Sequence, residues 1–227
     1  MENALLKYFD DYIENSEYRK IKQQGFGKNI KSWISNGERY IIVNKEVFNI
    51  TNCKTFHDFL LYFFEYKFGK NWLLDTKNIN HPLRIWYNIK NEFISRQQLN
   101  PQGFYKASCF GAIIALLRLS YNLYLLAHNV ELQSGLINRL KQIDQFQGAY
   151  YETFVVSYLI YSGFCVAIEN EKDGSIKHHD YIATANETGI KYAIEVKMCS
   201  RKNVLGALQG NETFKTVGDH IYKALSK

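Results

Sequence analysis

An α/β chain of the α+β kind, a mainly helical first part followed by a helix and three short strands, is predicted here on three observations. Apolar residues recur at helical spacing through most of residues 1–143. Beyond residue 163 the pattern shifts to three β-rich runs separated by turn-forming Asp-Gly and Asn-Glu-Thr-Gly segments. With 227 residues, 46% of them hydrophobic and 22% charged, the chain has the apolar material for a full core, which excludes an intrinsically disordered protein.

In chain order, Leu5, Leu6, Phe9, Tyr12 and Ile13 predict an amphipathic helix over residues 2–22. The stretch between Glu17 and Glu38 holds five basic residues (Arg19, Lys20, Lys22, Lys28, Lys31) and no acid, with Gly25-Phe26-Gly27 inside it and Trp33 after. It reads first as a solvated loop and second as a phosphate-backbone contact with an aromatic beside it. Residues 39–50 predict a small hairpin turning at Asn44-Lys45. Thr55 with Asp58 resembles a capping box opening a helix that Gly69 ends. A further helix starts near Pro82, carries Trp86, Ile89 and Phe93 on one face, and stops at Asn100-Pro101. Two more helices are predicted over about 107–128 and 131–143, then one over 146–163 closed by Gly163. The β-rich runs are Cys165 to Asn170, His178 to Ala185 and Lys191 to Cys199, a meander, and the tail from Asn203 returns to a helical pattern.

The longest apolar stretch, Cys109 to Leu117, is broken by Arg118, well short of the roughly 18 residues of a membrane span. No transmembrane helix is expected. The first residues enter a charged amphipathic pattern without a signal-type apolar core, which reads as cytoplasmic. The four cysteines (Cys53, Cys109, Cys165, Cys199) lie far apart with no Cys-x-x-Cys pair, so they are expected as reduced thiols packed like small apolar groups. The net charge is +6, and residues 146–227 hold nine basic and nine acidic side chains, so the whole excess belongs to the first 145 residues. A basic excess of this size favours polyanion partners such as nucleic acid.

The chemistry is expected in the second part. From Gln145 through Ile168 the only formal charge is Glu152, whose helical neighbours are Gly148, Ala149, Val155 and Val156. A carboxylate on that small, apolar stripe needs a cation nearby, because burying it alone costs several kcal/mol or forces protonation. Asp180 is the only formal charge between Lys177 and Glu187, in a half-buried strand pattern. Glu195 and Lys197 are two residues apart on the next run, on one face and about 6.6 Å apart along the strand. A short turn makes the two strands antiparallel neighbours, so Asp180, Glu195 and Lys197 converge. Such carboxylates bind Mg²⁺ while leaving positions to water and phosphate, and a lysine beside them orients the attacking water or stabilises charge on the phosphate.

The order of Glu152 on a helix, a strand, Asp180 on a second strand and Glu195-Val196-Lys197 on a third resembles the PD-(D/E)XK superfamily, the restriction-endonuclease-like nucleases. The resemblance covers about residues 144–202 and implies a domain over 144–227 with an α-β-β-β core around a mixed sheet, behind a basic, helical region 1–143. It further implies a Mg²⁺-dependent endonuclease acting on DNA in restriction, repair or defence, with Mn²⁺ able to substitute. Asp180, Glu195 and the carbonyl of Val196 would ligate the metal, Glu152 would bind it directly or through water, and Lys197 would position the nucleophile. Lys177, Arg201 and Lys202 are candidate phosphate contacts, and His178 and His179 a weak zinc signal. Cutting both strands implies paired active sites, hence a homodimer. His179 stands where the namesake pattern has proline, and no clear fourth core strand follows Lys197, so the expectation is either a domain truncated at its C-terminal end or a sheet completed from elsewhere, by residues 39–50 or a partner chain. The second reading is a nuclease-like module that binds DNA or a protein without catalysis.

Overall fold

A helix with the longest apolar run in the chain, α4 (Gly111–Asn129), forms the centre of the protein, and the other elements are ordered around it. The computed structural model describes residues 14, 16–22, 24–75, 77, 80–101, 103, 110–132, 134–168 and 180–198. The expectations for residues 2–13, Cys109, Cys199, Lys177, His178, His179, Arg201, Lys202 and the tail from 203 lie outside these residues. The fold is mixed α/β as predicted, with strands β1 (Lys31–Ser35), β2 (Glu38–Val43) and β3 (Glu46–Asn49), then helices α1 (Phe56–Phe68), α2 (Lys70–Leu74) and α3 (Pro82–Ser95), the central α4, and helices α5 (Ser134–Lys141) and α6 (Phe146–Tyr161). Strands β4 (Phe164–Ile168), β5 (Tyr181–Ala185) and β6 (Lys191–Ile194) follow.

The hairpin at 39–50 turns at Asn44-Lys45 as expected, but it is two-thirds of a sheet. Lys31–Ser35, read from the sequence as part of a loop, pairs antiparallel with β2 through a turn at Asn36-Gly37, where both residues take positive φ (51° and 79°). That pair is a strong two-residue hairpin signal, because Asn and Gly tolerate the left-handed conformation. The basic segment ahead of β1 is also built rather than loose. Phe26 N–H donates to the Tyr161 carbonyl at 2.9 Å, Lys28 N–H donates to Asn129 Oδ1 at 2.7 Å, and Lys28 Nζ donates to the Asn129 carbonyl at 3.1 Å. The segment thus lies across the C-terminal ends of α6 and α4, where a cation is favoured by the carbonyls of the last turn. Gly25, at φ 66°, has no room for a side chain: a Cβ there would lie 2.4 Å from the Tyr161 carbonyl oxygen.

The capping box of α1 is complete, with Thr55 N–H donating to Asp58 Oδ2 at 2.8 Å and Asp58 N–H to Thr55 Oγ1 at 3.2 Å. Gly69 ends it at φ 80°, and the short α2 follows directly. α3 stops at Ser95, earlier than Asn100-Pro101, and α5 ends at Lys141 while α6 begins at Phe146, close to the ends read from the sequence for these two helices. α4 is 19 residues long and apolar enough to cross a membrane by length and composition, and 61% of that window is buried inside the protein. It packs on α6, α3 and α1. A single cluster of buried side chains runs from Ile41 and Phe48, through Phe63, Leu116 and Leu123, to Val156, Tyr181 and Ala183. Cys165, expected to be packed, is exposed on β4, while Cys53 is half-buried.

His81 caps α3, its Nδ1 accepting from Leu83 N–H at 3.2 Å, and its ring packs against Trp72 and Phe146. Burial, with the charge of Arg84 adding to it, lowers the imidazole from 6.5 to about 4. The unfolded chain therefore takes up a proton near pH 6.5 that the native protein refuses until about pH 4. Stability from this group is fully present above pH 6.5 and is lost as pH falls toward 4, about 3 kcal/mol in all. His81→Asn retains a cap acceptor, so urea unfolding at pH 7 and pH 4.5 is expected to show a smaller acid loss than in the wild type. An equal loss in both would contradict it.

Strands β4, β5 and β6 form the meander read from the sequence, in the order β4-β5-β6 and antiparallel throughout. Among the described residues neither sheet is mixed, unlike the core the resemblance implies. Nor do residues 39–50 complete this second sheet: they belong to the first. The α-β-β-β order itself is present, with α6 feeding β4 through Gly163.

Candidate functional site

The sequence predicts that Glu152 is buried and needs a cation, and both statements describe the structure. Its neighbours Ala149 and Val156 are buried on the face of α6 that meets α4 and the second sheet, and Glu152 itself is 9% exposed. The cation is Arg139 of α5, which the sequence reading did not single out. Its two terminal nitrogens grip the carboxylate side by side, Nη1 to Oε2 at 2.5 Å and Nη2 to Oε1 at 2.9 Å. This fork-on-carboxylate geometry is the strongest form of the ion pair. The Tyr181 hydroxyl also donates to Oε1. Burial first, then the charge and hydrogen bond of Glu152, raises the Tyr181 phenol far above its ordinary range, so it stays protonated and donates. A cavity of about 20 Å³, enough for one water, lies beside the three side chains between α4, α5 and α6.

Tyr181 opens β5, and the residue before it is Asp180. The ladder pairs Tyr181 with Ile194, so Asp180 comes abreast of the chain just past the end of β6. There Asp180 Oδ2 accepts the Val196 N–H at 2.7 Å. A side-chain oxygen takes the place of a ladder carbonyl, which is why the strand stops at Ile194 and does not run on to Cys199 as the sequence predicted. Glu195, Val196 and Lys197 therefore lie on the segment leaving the sheet. Glu195 and Lys197, two residues apart, form an ion pair, with side chains 9% and 38% exposed.

The structure thus brings Asp180 together with Glu195-Val196-Lys197, and ties Glu152 to Arg139 and Tyr181. Only Glu152 touches the Tyr181 hydroxyl among the contacts of the described residues; the charge of Asp180 adds a smaller push to the same upward shift of the phenol. Tyr181, the first residue of β5, reaches Glu152 of α6 with its hydroxyl, and Asp180, just ahead of the strand, bonds the Val196 N–H. The signal for Tyr181 was its position beside Asp180 in a run otherwise suited to a half-buried strand. Arg139 was harder to find, since it sits 13 residues before Glu152 and is joined to it only by the turn between two helices.

Asp180, Glu195 and the Val196 carbonyl are hard oxygen donors. Mg²⁺ is held by one or two carboxylates and keeps several waters, so this set suits it and does not suit zinc, which takes nitrogen and sulfur. Among the described residues no three His, Cys, Asp or Glu side chains gather closely enough to hold an ion among them. An ion here would depend on the carbonyl and on water to complete its shell. In comparisons with known proteins, no family model matches the chain, and neither a curated protein nor a solved structure is found similar to it.

Proposed function

We propose that this protein is a Mg²⁺-dependent nuclease that hydrolyses phosphodiester bonds in DNA. The observation that carries this reading is the 2.7 Å bond from Val196 N–H to Asp180 Oδ2, which fixes the carboxylate of one strand against the Glu195-Val196-Lys197 segment of the next. Asp180, Glu195 and the Val196 carbonyl would hold the ion. When bound, it supplies polarisation of the phosphate and a water acidified toward hydroxide. Lys197 orients the attacking water and offsets negative charge growing on the phosphate oxygens. Glu152 acts at one remove, through water, because Arg139 and Tyr181 already hold both of its oxygens. Lys177, Arg201 and Lys202 are proposed to grip the backbone phosphates, and a homodimer would let two such sites cut both strands.

Supercoiled plasmid DNA incubated with the protein and Mg²⁺ or Mn²⁺ is expected to be nicked or linearised, and a chelator to stop it. An intact plasmid under all these conditions would overturn the nuclease reading. One feature favours the second reading, a nuclease-like module that binds DNA without cutting. All four polar residues are engaged within the protein, Glu152 by Arg139, Lys197 and Glu195 by each other, and Asp180 by the Val196 N–H.

A further inference from the structure

The first sheet has one face on the core and one face on solvent. Ile41, Val43 and Phe48 are buried on the inner side, where Phe48 packs its ring against Phe59 and Phe63 of α1. Register then fixes what the outer face shows. Lys31, Ile42 and Val47 form one cross-strand row, and Trp33, Tyr40 and Asn49 form the next. Trp33 and Tyr40 stack at 5.3 Å between ring centroids with planes 19° apart, and Trp33 remains 40% exposed. Val47, in the row beside them, is 58% exposed. A paired aromatic held upright on a sheet, with one ring face open to solvent, is a surface on which a planar group stacks.

The charge at one end of this face is basic. No acid stands between Glu17 and Glu38, and the chain enters β1 through Lys28 and Lys31, while Lys45 lies in the turn at the same end of the sheet. Of the nearest carboxylates, Glu46 is paired with Lys67 at 3.1 Å, while Glu38, in the row beyond Trp33 and Tyr40, accepts from the Tyr40 hydroxyl and keeps its negative charge, which directs phosphates to the Lys31 end of the face. Aromatic faces interleaved with lysines match a chain that alternates flat bases with phosphates. The bases must be unpaired to reach Trp33, because in a duplex their faces are covered by stacking.

We infer that the outer face of the first sheet binds single-stranded nucleic acid, with a base on Trp33 and phosphates along Lys31 and Lys45. This rests on the reading of the protein as acting on nucleic acid, and it adds a second contact on a sheet separate from the proposed cutting site. The test is fluorescence anisotropy with labelled dT₂₀, U₂₀ and a 20-base-pair duplex, in EDTA so that cutting plays no part. Single strands are expected to bind more tightly than the duplex, with dT₂₀ against U₂₀ distinguishing DNA from RNA. Trp33→Ala is expected to weaken single-strand binding about 10-fold, within the usual range for one stacked base. Lys31→Ala is expected to flatten the dependence on log salt by about 0.7, as for one lost phosphate contact on a single strand. Anisotropy in EDTA reads binding without cutting, so a failed cutting assay and a failed platform give different results. Unchanged binding by Trp33→Ala, tighter binding of the duplex, or a Trp33→Ala variant altered only in its oligomeric state would overturn the inference; the last would mark the face as a contact between copies.

Discussion

Glu195→Ala and Lys197→Ala are each expected to lower Mg²⁺-dependent cleavage by at least 10²–10³-fold, on the order of what removing one preorganised charge from a transition state costs. The stability cost should be much smaller. Both residues sit on a segment leaving the sheet, but the Glu195 side chain is only 9% exposed, so Lys197→Ala leaves a largely buried carboxylate without its cation and costs about 1–2 kcal/mol, while Glu195→Ala frees a half-exposed lysine and costs about 1 kcal/mol or less. Thermal unfolding within a few degrees of the wild type, together with lost cleavage of a plasmid, is therefore the expected pattern. If both variants cut normally, the proposed roles of Glu195 and Lys197 are wrong. If both unfold, the Glu195–Lys197 pair is structural, and Lys197→Met, which retains the packing of the stem, separates the two causes.

Arg139→Ala carries the largest expected loss of stability. The Glu152 side chain is 12% exposed and would be left in place with only Tyr181 donating to it. Removing one partner of a buried ion pair costs about 3–5 kcal/mol. Arg139 is itself 42% exposed, so water can enter where it stood, and about 2 kcal/mol is the expected cost. For a chain of this length that lowers the melting temperature by roughly 4–8 °C. Arg139→Lys is expected to restore only part, because an ammonium cannot make the paired contact. Replacing both partners with methionine is expected to restore most of the stability, since no charge is then left unpaired. A doubly substituted protein that melts like the wild type but cuts poorly would assign Glu152 to the chemistry. Arg139→Ala melting unchanged would show that the pair contributes nothing measurable.

The contrast between Arg139 and Asp180 shows what the sequence makes legible. Glu152 stands out because it is the lone charge in a run of 24 positions, and its burial follows from helical spacing alone. Asp180 and the Glu195-Val196-Lys197 segment follow from strand spacing and a short turn, which are local signals. The meander, the capping box at Thr55 and the hairpin at Asn44 are local in the same way, and all are present. Arg139 is not local: its partnership with Glu152 depends on how α5 folds back on α6, and nothing in the spacing of residues 134–152 encodes that angle. The end of β6 was missed for a related reason, because the acceptor that stops the ladder is a side chain from the neighbouring strand. Strand β1 had a local signal, Asn36-Gly37, but its residues are almost all exposed and lack the apolar alternation of a half-buried strand. That exposure, which hid the strand, is also what leaves Trp33 open to a ligand.

The central claim is that Asp180, Glu195 and the Val196 carbonyl hold one hard divalent cation. Titration calorimetry with Mn²⁺ on the full chain tests it without any substrate. A single site is expected in the wild-type protein, lost in Asp180→Asn and in Glu195→Gln, and retained in Lys197→Met. Absence of Mn²⁺ binding, or binding that survives both carboxylate substitutions, would contradict it.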